Sequence, residues 1–334
     1  MRRLLSFLVK AAISALLLYL SLRQVNIEGV GQRLGGLDLI WVILILLLPC
    51  AQMYLLAIRW REIAGACGAE LEPAMALRYT FIGLFFSQVL PSTVGGDAAR
   101  IWLLARGGAG WPVAIYSVLI DRVVGVSALA VLVVACLPWT FQLVHNPVAR
   151  GAVAVIGFGA LGGAVIFLSL GVRYWRLMER WWLTRHFATA SRLAWRLYRS
   201  AAGARVAVLS FASHFMTVAM AWGAARAAHA TVDFADILFL VLPVLLITTI
   251  PVSIAGWGLR ESAMVLAFSY ASLPESDGLI ISILYGAANL MVGAVGGIVW
   301  IASGYRWGPV KTAAGQRRLA PLSCEEPATR RDFR

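Results

Sequence analysis

The 334 residues are 60% hydrophobic, with a mean hydropathy of +0.80 and only 13% charged side chains, about half the roughly 25% of a soluble domain, which excludes an ordinary soluble fold. The formal net charge of +13 comes almost wholly from arginine, since Lys10 and Lys311 are the only lysines. No helix-turn-helix or zinc pattern accompanies that charge, so it is read as membrane topology and attraction to anionic headgroups, with nucleic acid excluded as a partner.

In chain order, MRRLLSFLVKAAISALLLYLSL begins like a secretory signal, but Lys10 interrupts the apolar stretch and no small-x-small cleavage site precedes Arg23. It is therefore read as a retained first span, about residues 4–22. Further runs near the roughly 20 apolar residues a crossing helix needs lie at about 39–58 (ending at RWRE), 112–137, 151–172, 206–225 and 278–302. Between them, residues 74–106 and 236–270 are apolar but carry internal helix breakers.

The distribution of arginine predicts what those two broken segments do. If each dips in and returns to its starting side, the cytoplasm receives MRR, RWRE, residues 100–106, residues 173–205 and the tail with both termini, while TVDFAD and LPESDG face outside. Letting either or both cross fully exposes the basic tail or the segment 173–205, with its eight arginines and one glutamate, on the wrong side. Within that segment Arg176, Arg180, Arg192, Arg196 and Arg199 stand among tryptophans, the composition of a helix lying on an anionic headgroup region. Residues 306–334 read as a polar, disordered tail.

Cys50, Cys67, Cys136 and Cys324 show no CxxC spacing, and the four histidines are scattered, so no disulfide framework, metal site or cofactor is expected.

PSTVGGDAAR (91–100) and PVSIAGWGLR (251–260) share Pro, Ser/Thr, Val/Ile, Gly/Ala, Gly and Arg at matching positions, offset by 160. Each lies at the tip of a broken segment, and each broken segment is third in a run of span, span, hairpin, span. Each half has three full crossings, so the second half starts on the opposite side. The expected fold is an all-α polytopic membrane protein of two inverted repeats, about 4–137 and 151–302, with six full transmembrane helices and two re-entrant hairpins, all within residues 1–305.

Chemistry follows from those tips. Pro91 and Pro251 discourage continuation of the preceding helix, and Gly95, Gly96 and Gly256 permit a tight reversal. New helices starting near 97 and 257 present unpaired N–H groups and a positive dipole end, which attract anions. Arg100 and Arg260 sit a turn further on, with fork geometry suited to phosphate or carboxylate. Asp121 and Arg122 lie inside an apolar span, where Ser117, Asp121 and Gly125 form a stripe of polar and small residues; Glu261 follows Arg260. Left unpaired at the bilayer centre, each charge would cost about 2.5–3.5 kcal/mol, so pairing or solvation is required. The candidate substrate-binding set is Pro91, Ser92, Thr93, Gly95, Gly96, Asp97, Arg100, Asp121, Arg122, Ser253, Gly256, Arg260 and Glu261. The same charges could instead be structural ion pairs between helices; their position at helix breaks favours a site.

PSTVGGDAAR, DRVVG (121–125) and PVSIAGWGLRE resemble the motifs of the lysylphosphatidylglycerol synthase transmembrane-region family, over roughly residues 4–305. The resemblance implies a flippase-like protein of the bacterial cytoplasmic membrane. It implies a phospholipid, polyprenyl or hopanoid-type lipid as partner. It also implies that Gly95, Gly96, Asp97, Arg100, Asp121, Arg122, Gly256, Arg260 and Glu261 form the family's intramembrane polar set. Some members are fused to an aminoacyl-lipid synthase; the tail after residue 305 is too short for one, so lipid aminoacylation is not expected. HExxH, GxSxG, DxD and paired Cys/His clusters are absent from the sequence, which argues against an enzyme. The expectation is a translocator of an anionic lipid or lipid-linked headgroup. The alternatives are an accessory subunit docking a lipid-synthesis enzyme through the arginine-rich segment, and an intramembrane transferase using Asp97 or Asp121 as base.

Overall fold

The computed structural model describes residues 27–90, 94–173, 182–250 and 256–305, together with Leu16, Tyr19 and Leu22. The first expected span and the tail therefore lie largely outside the described residues, which contain helices and no strand.

The helices are α1 (Ile27–Gly35), α2 (Leu39–Ala66), α3 (Pro73–Val89), α4 (Val94–Leu104), α5 (Trp111–Leu143), α6 (Pro147–Arg173), α7 (Trp182–Tyr198), α8 (Ala201–Ala227), α9 (Phe234–Thr248), α10 (Leu259–Tyr270) and α11 (Glu275–Ala302). Five of them, α2, α5, α6, α8 and α11, are long and apolar enough to cross a membrane. Their starts carry local signals. The Asp38 carboxylate accepts from the Ile40 N–H at 2.9 Å, Ser200 caps α8 through the Gly203 N–H, and Pro73, Pro112 and Pro147 occupy first-turn positions where the missing N–H is no loss.

The packing has a pattern. Helix α2 runs antiparallel along α8: Gly223 meets Ile45, Gln52 donates to the Ser213 carbonyl at 2.9 Å and the Thr217 hydroxyl at 2.7 Å, and Arg205 pairs with Glu62 at 2.8 Å. Helix α3 folds back against α4, and α9 packs on α10. Helix α3 also packs on α11, where Phe86 meets Trp300, and α9 packs on α5, where Trp139 stacks on Phe239. Helix α4 lies against α5 as α10 lies against α11. Every one of these contacts maps onto another when α2, α3, α4 and α5 are exchanged for α8, α9, α10 and α11.

The two broken segments reverse by different means. In α4, a Cβ at Gly96 would fall on the Ser87 hydroxyl and the Gly83 carbonyl, and one at Gly95 would crowd Leu90, so these glycines serve close helix approach. Before α10 the turn itself needs glycine: Gly256 and Gly258 have φ of +80° and +84°. Helix α7 is amphipathic, burying Ala188, Ser191, Ala194 and Leu197 toward α6 and α8 and leaving Arg196 and Arg199 exposed. Arg192 is half-buried, and Arg176 and Arg180 lie outside the described residues.

Candidate functional site

Three arginines and two carboxylates converge where α2, α4 and α5 meet. Asp121 is shared: its Oδ1 accepts from Arg59 Nε at 2.9 Å and its Oδ2 from Arg100 Nη2 at 3.0 Å. Asp97 accepts from Arg122 Nε at 2.5 Å and lies 3.8 Å from Arg100 Nη1. The Arg100 guanidinium stacks 4.1 Å from the centre of the Trp60 ring, and Trp60 Nε1 in turn faces the Ser117 hydroxyl at 3.3 Å. Among the described residues, three cations against two anions leave a surplus of one positive charge, in a place where Arg59, Arg100 and Asp121 are nearly fully enclosed. Among the described residues, one donor, Arg100 Nε, is buried with no partner. A buried, unsatisfied N–H on a cation is costly unless something accepts from it.

These groups open onto a cavity of about 290 Å³. Arg59, Arg100, Asp121 and Arg122 form its charged wall, Gln52, Leu56 and Thr80 extend it within the first half, and the second half adds Ser213, His214 and Thr217 of α8 and Leu245 of α9. His214 bonds the Gly125 carbonyl at 2.9 Å through Nε2. Nearby, the Tyr198 hydroxyl of α7 reaches Ser127, and burial holds its pKa above the usual phenol value.

The corresponding arginine of the second half has a different setting. Arg260 donates to Glu261 Oε1 from Nη2 at 2.6 Å and from Nε at 3.1 Å, and its Nε also faces the Ser282 hydroxyl at 3.0 Å. The Ser282 hydroxyl donates a hydrogen bond to the same carboxylate oxygen at 3.0 Å, while Glu261 Oε2 accepts from the Gly258 N–H at 2.6 Å. Trp257 and Tyr285 flank the guanidinium. The cluster is neutral and borders a space of about 20 Å³, room for about one water.

Of the residues expected from sequence, Asp97, Arg100, Asp121 and Arg122 meet in one cluster, with Gly95 and Gly96 at the α3–α4 contact. Gly256, Arg260 and Glu261 belong to the second cluster. Pro91, Ser92, Thr93 and Ser253, and with them Pro251, lie outside the described residues. Arg59 was assigned to a cytoplasmic flank by its place in RWRE; the helix runs on to Ala66 and Arg59 is buried. The readable signal was spacing: Gln52, Leu56 and Arg59 recur at four and three residues, and all three line the cavity. Among the described residues, no group of three His, Cys, Asp or Glu side chains is placed to hold a metal ion.

Residues 7–297 match the family described as the lysylphosphatidylglycerol synthase TM region. No curated protein and no solved structure gave a match. The match spans most of the chain, including both clusters. The chain belongs to that family and is a multi-pass membrane protein.

Proposed function

We propose that this family member is a translocator that binds an anionic lipid headgroup in the α2–α4–α5 cavity and passes it between leaflets. The observation that carries the reading is the surplus positive charge at a cavity walled by both halves of the chain. A phosphate-bearing headgroup supplies the missing negative charge, and pairs of its oxygens match the planar fork of an arginine guanidinium. The 290 Å³ volume sits at the lower end of the roughly 300–1,000 Å³ of small-molecule sites, room for a compact headgroup but not for its tails.

The inverted-repeat reading belongs to the same proposal. The exchange of α2–α5 for α8–α11 leaves the packing pattern unchanged, and α2 meets its counterpart α8 antiparallel. An axis in the membrane plane relates helices in that way; an axis along the normal would leave them parallel. In this reading α3–α4 and α9–α10 are re-entrant pairs. The basic segments, both termini among them, then face the cytoplasm of a bacterial cell. Binding rather than bond-making is favoured because both oxygens of Asp121 are engaged by arginines, which leaves it a poor base.

The test is transfer of fluorescent phosphatidylglycerol between leaflets of vesicles containing the purified protein. Arg100→Gln is expected to slow it about 10–100-fold, the equivalent of one charged hydrogen bond of about 1.5–3 kcal/mol. Transfer that is absent in the wild type, or untouched by Arg100→Gln and Arg59→Gln alike, rejects the assignment.

A further inference from the structure

A lipid head held in a closed polar cavity leaves its hydrocarbon tails to be placed, and apolar chains gain by staying out of water and out of a charged pocket. The wall must therefore open sideways somewhere. Two seams around the cavity are shut. Helices α2 and α8 are closed by Gly223 against Ile45 and by the Gln52 hydrogen bonds, and α3 and α4 by the glycine contact at Gly96.

The α5–α6 seam is different. Near its middle the helices are tight, with a Cβ at Gly157 falling 3.1 Å from Val133. Toward Arg122 they leave a groove of about 260 Å³, bounded by Val123, Val126 and Ser127 on α5 and by Gly163 and Phe167 on α6. A Cβ built at Gly159, Gly162 or Gly163 would meet nothing within 4 Å, so α6 presents backbone and open space there. Arg122 and Val126 border both this groove and the charged cavity. Arg122 is also the most exposed of the three clustered arginines, its side chain 48% accessible against 12% for Arg100 and 7% for Arg59.

We propose that the α5–α6 groove seats a hydrocarbon chain of the same lipid whose anionic head occupies the cavity, with Arg122 as the post around which head and tail divide. This rests on the headgroup reading above and adds where the lipid enters: laterally, past Arg122, between α5 and α6. Helix α6 is the natural movable wall. Its outer face carries Val148, Val155, Val165 and Ile166 exposed as lipid-facing side chains. Beside the groove it turns the small Ala160, Gly163 and Ala164 toward α5, with Phe167 closing one end.

The experiment uses the full chain in phosphatidylcholine vesicles doped with phosphatidylglycerol carrying a mid-chain diazirine, or with the matching phosphatidylcholine probe. Irradiation is followed by peptide mapping. The phosphatidylglycerol probe is expected to label residues 123–127 and 160–167 about fivefold or more above the phosphatidylcholine probe, a modest coupling between two parts of one ligand. That preference should collapse in Arg100→Gln, which leaves the groove intact but removes a headgroup partner. Equal labelling by both probes, annular lipid only, overturns the proposal, as does a preference that survives Arg100→Gln. Gly163→Trp, whose Cβ would meet nothing within 4 Å, puts an indole into the groove and should slow lipid transfer, yet leave glycerol 3-phosphate binding to the cavity unchanged; Gly163→Leu serves if the larger variant does not elute as a single species. Transfer lost in Arg100→Gln but normal in Gly163→Trp sinks the groove and leaves the headgroup site standing. Transfer normal in both sinks the headgroup reading itself.

Discussion

Arg100 and Arg260 occupy matching places in two similar sequence motifs, yet their surroundings differ. Arg100 lies within α4 and Arg260 at the start of α10, each in a helix that follows a break, and each reaches toward the long helix after it, at Asp121 and Ser282 respectively. Around Arg100 there are three cations, two anions, an unpartnered N–H and 290 Å³ of space. Around Arg260 one carboxylate and one hydroxyl take the Nε and Nη2 donors, two aromatic rings flank the guanidinium, and about 20 Å³ remains. Two similar motifs in one membrane fold can thus have different settings: one arginine stands in an unbalanced cluster beside a cavity, which the proposed function assigns to a ligand, and the other in a neutral, closed one. Sequence identity at the arginine does not distinguish the two. The number of opposing charges does.

The sharpest way to break this contrast is Glu261→Ala. It strands Arg260 without a carboxylate in a dry site, and the expected loss is about 3–5 kcal/mol, read as a large fall in melting temperature in detergent. Arg260→Met combined with Glu261→Gln should recover most of that loss. A Glu261→Ala protein that melts normally but no longer transfers lipid would make the second cluster a ligand site too. Next, Gly96→Ala should destabilise by about 1–3 kcal/mol, because the methyl group falls on Gly83 and Ser87 and forces α3 away from α4. A normal melting curve for that variant would mean the first break is looser than its packing implies.

Arg59→Gln should leave the fold nearly intact, since Asp121 keeps Arg100, but it removes the charge surplus. The preference for phosphatidylglycerol over phosphatidylcholine in competition transfer should then drop about tenfold, equivalent to about 1.4 kcal/mol. The smallest effect on stability is expected for Asp97→Asn, below about 1 kcal/mol, because its partner Arg122 is half-exposed. That variant raises the local charge to two, so retention of phosphatidylglycerol through purification should rise, the opposite direction from Arg59→Gln.

The apolar runs made the long helices legible, because a crossing helix must write its length in hydrophobic residues. The spans expected at 39–58, 112–137, 151–172, 206–225 and 278–302 all appear as helices, each longer than its apolar stretch. The excess is informative at α2, where eight further residues carry Arg59 and Trp60 into the interior. A charge next to the end of an apolar run reads as a flank until its helical face is asked about. Asp97, Arg100, Asp121 and Arg122 were visible as charges too expensive to leave in lipid, but their pairing was not, because partners across helices depend on packing that no local spacing encodes. The same limit hid the inequality of the two tips: Glu261 was read beside Arg260, whereas Ser282 and the two aromatic rings that complete its shell come from elsewhere in the fold or from side-chain placement.

The antiparallel seam between α2 and α8 has a consequence for how the protein is made. Gln52 and its partner Ser213 are 161 residues apart in the chain. At roughly 5–20 residues per second of synthesis, α2 waits about ten to thirty seconds in the membrane before its neighbour emerges. The pairing of Arg59 with Asp121 comes much sooner. The first half can therefore neutralise most of its charge alone, while the cavity acquires its far wall only when the ribosome has delivered the second.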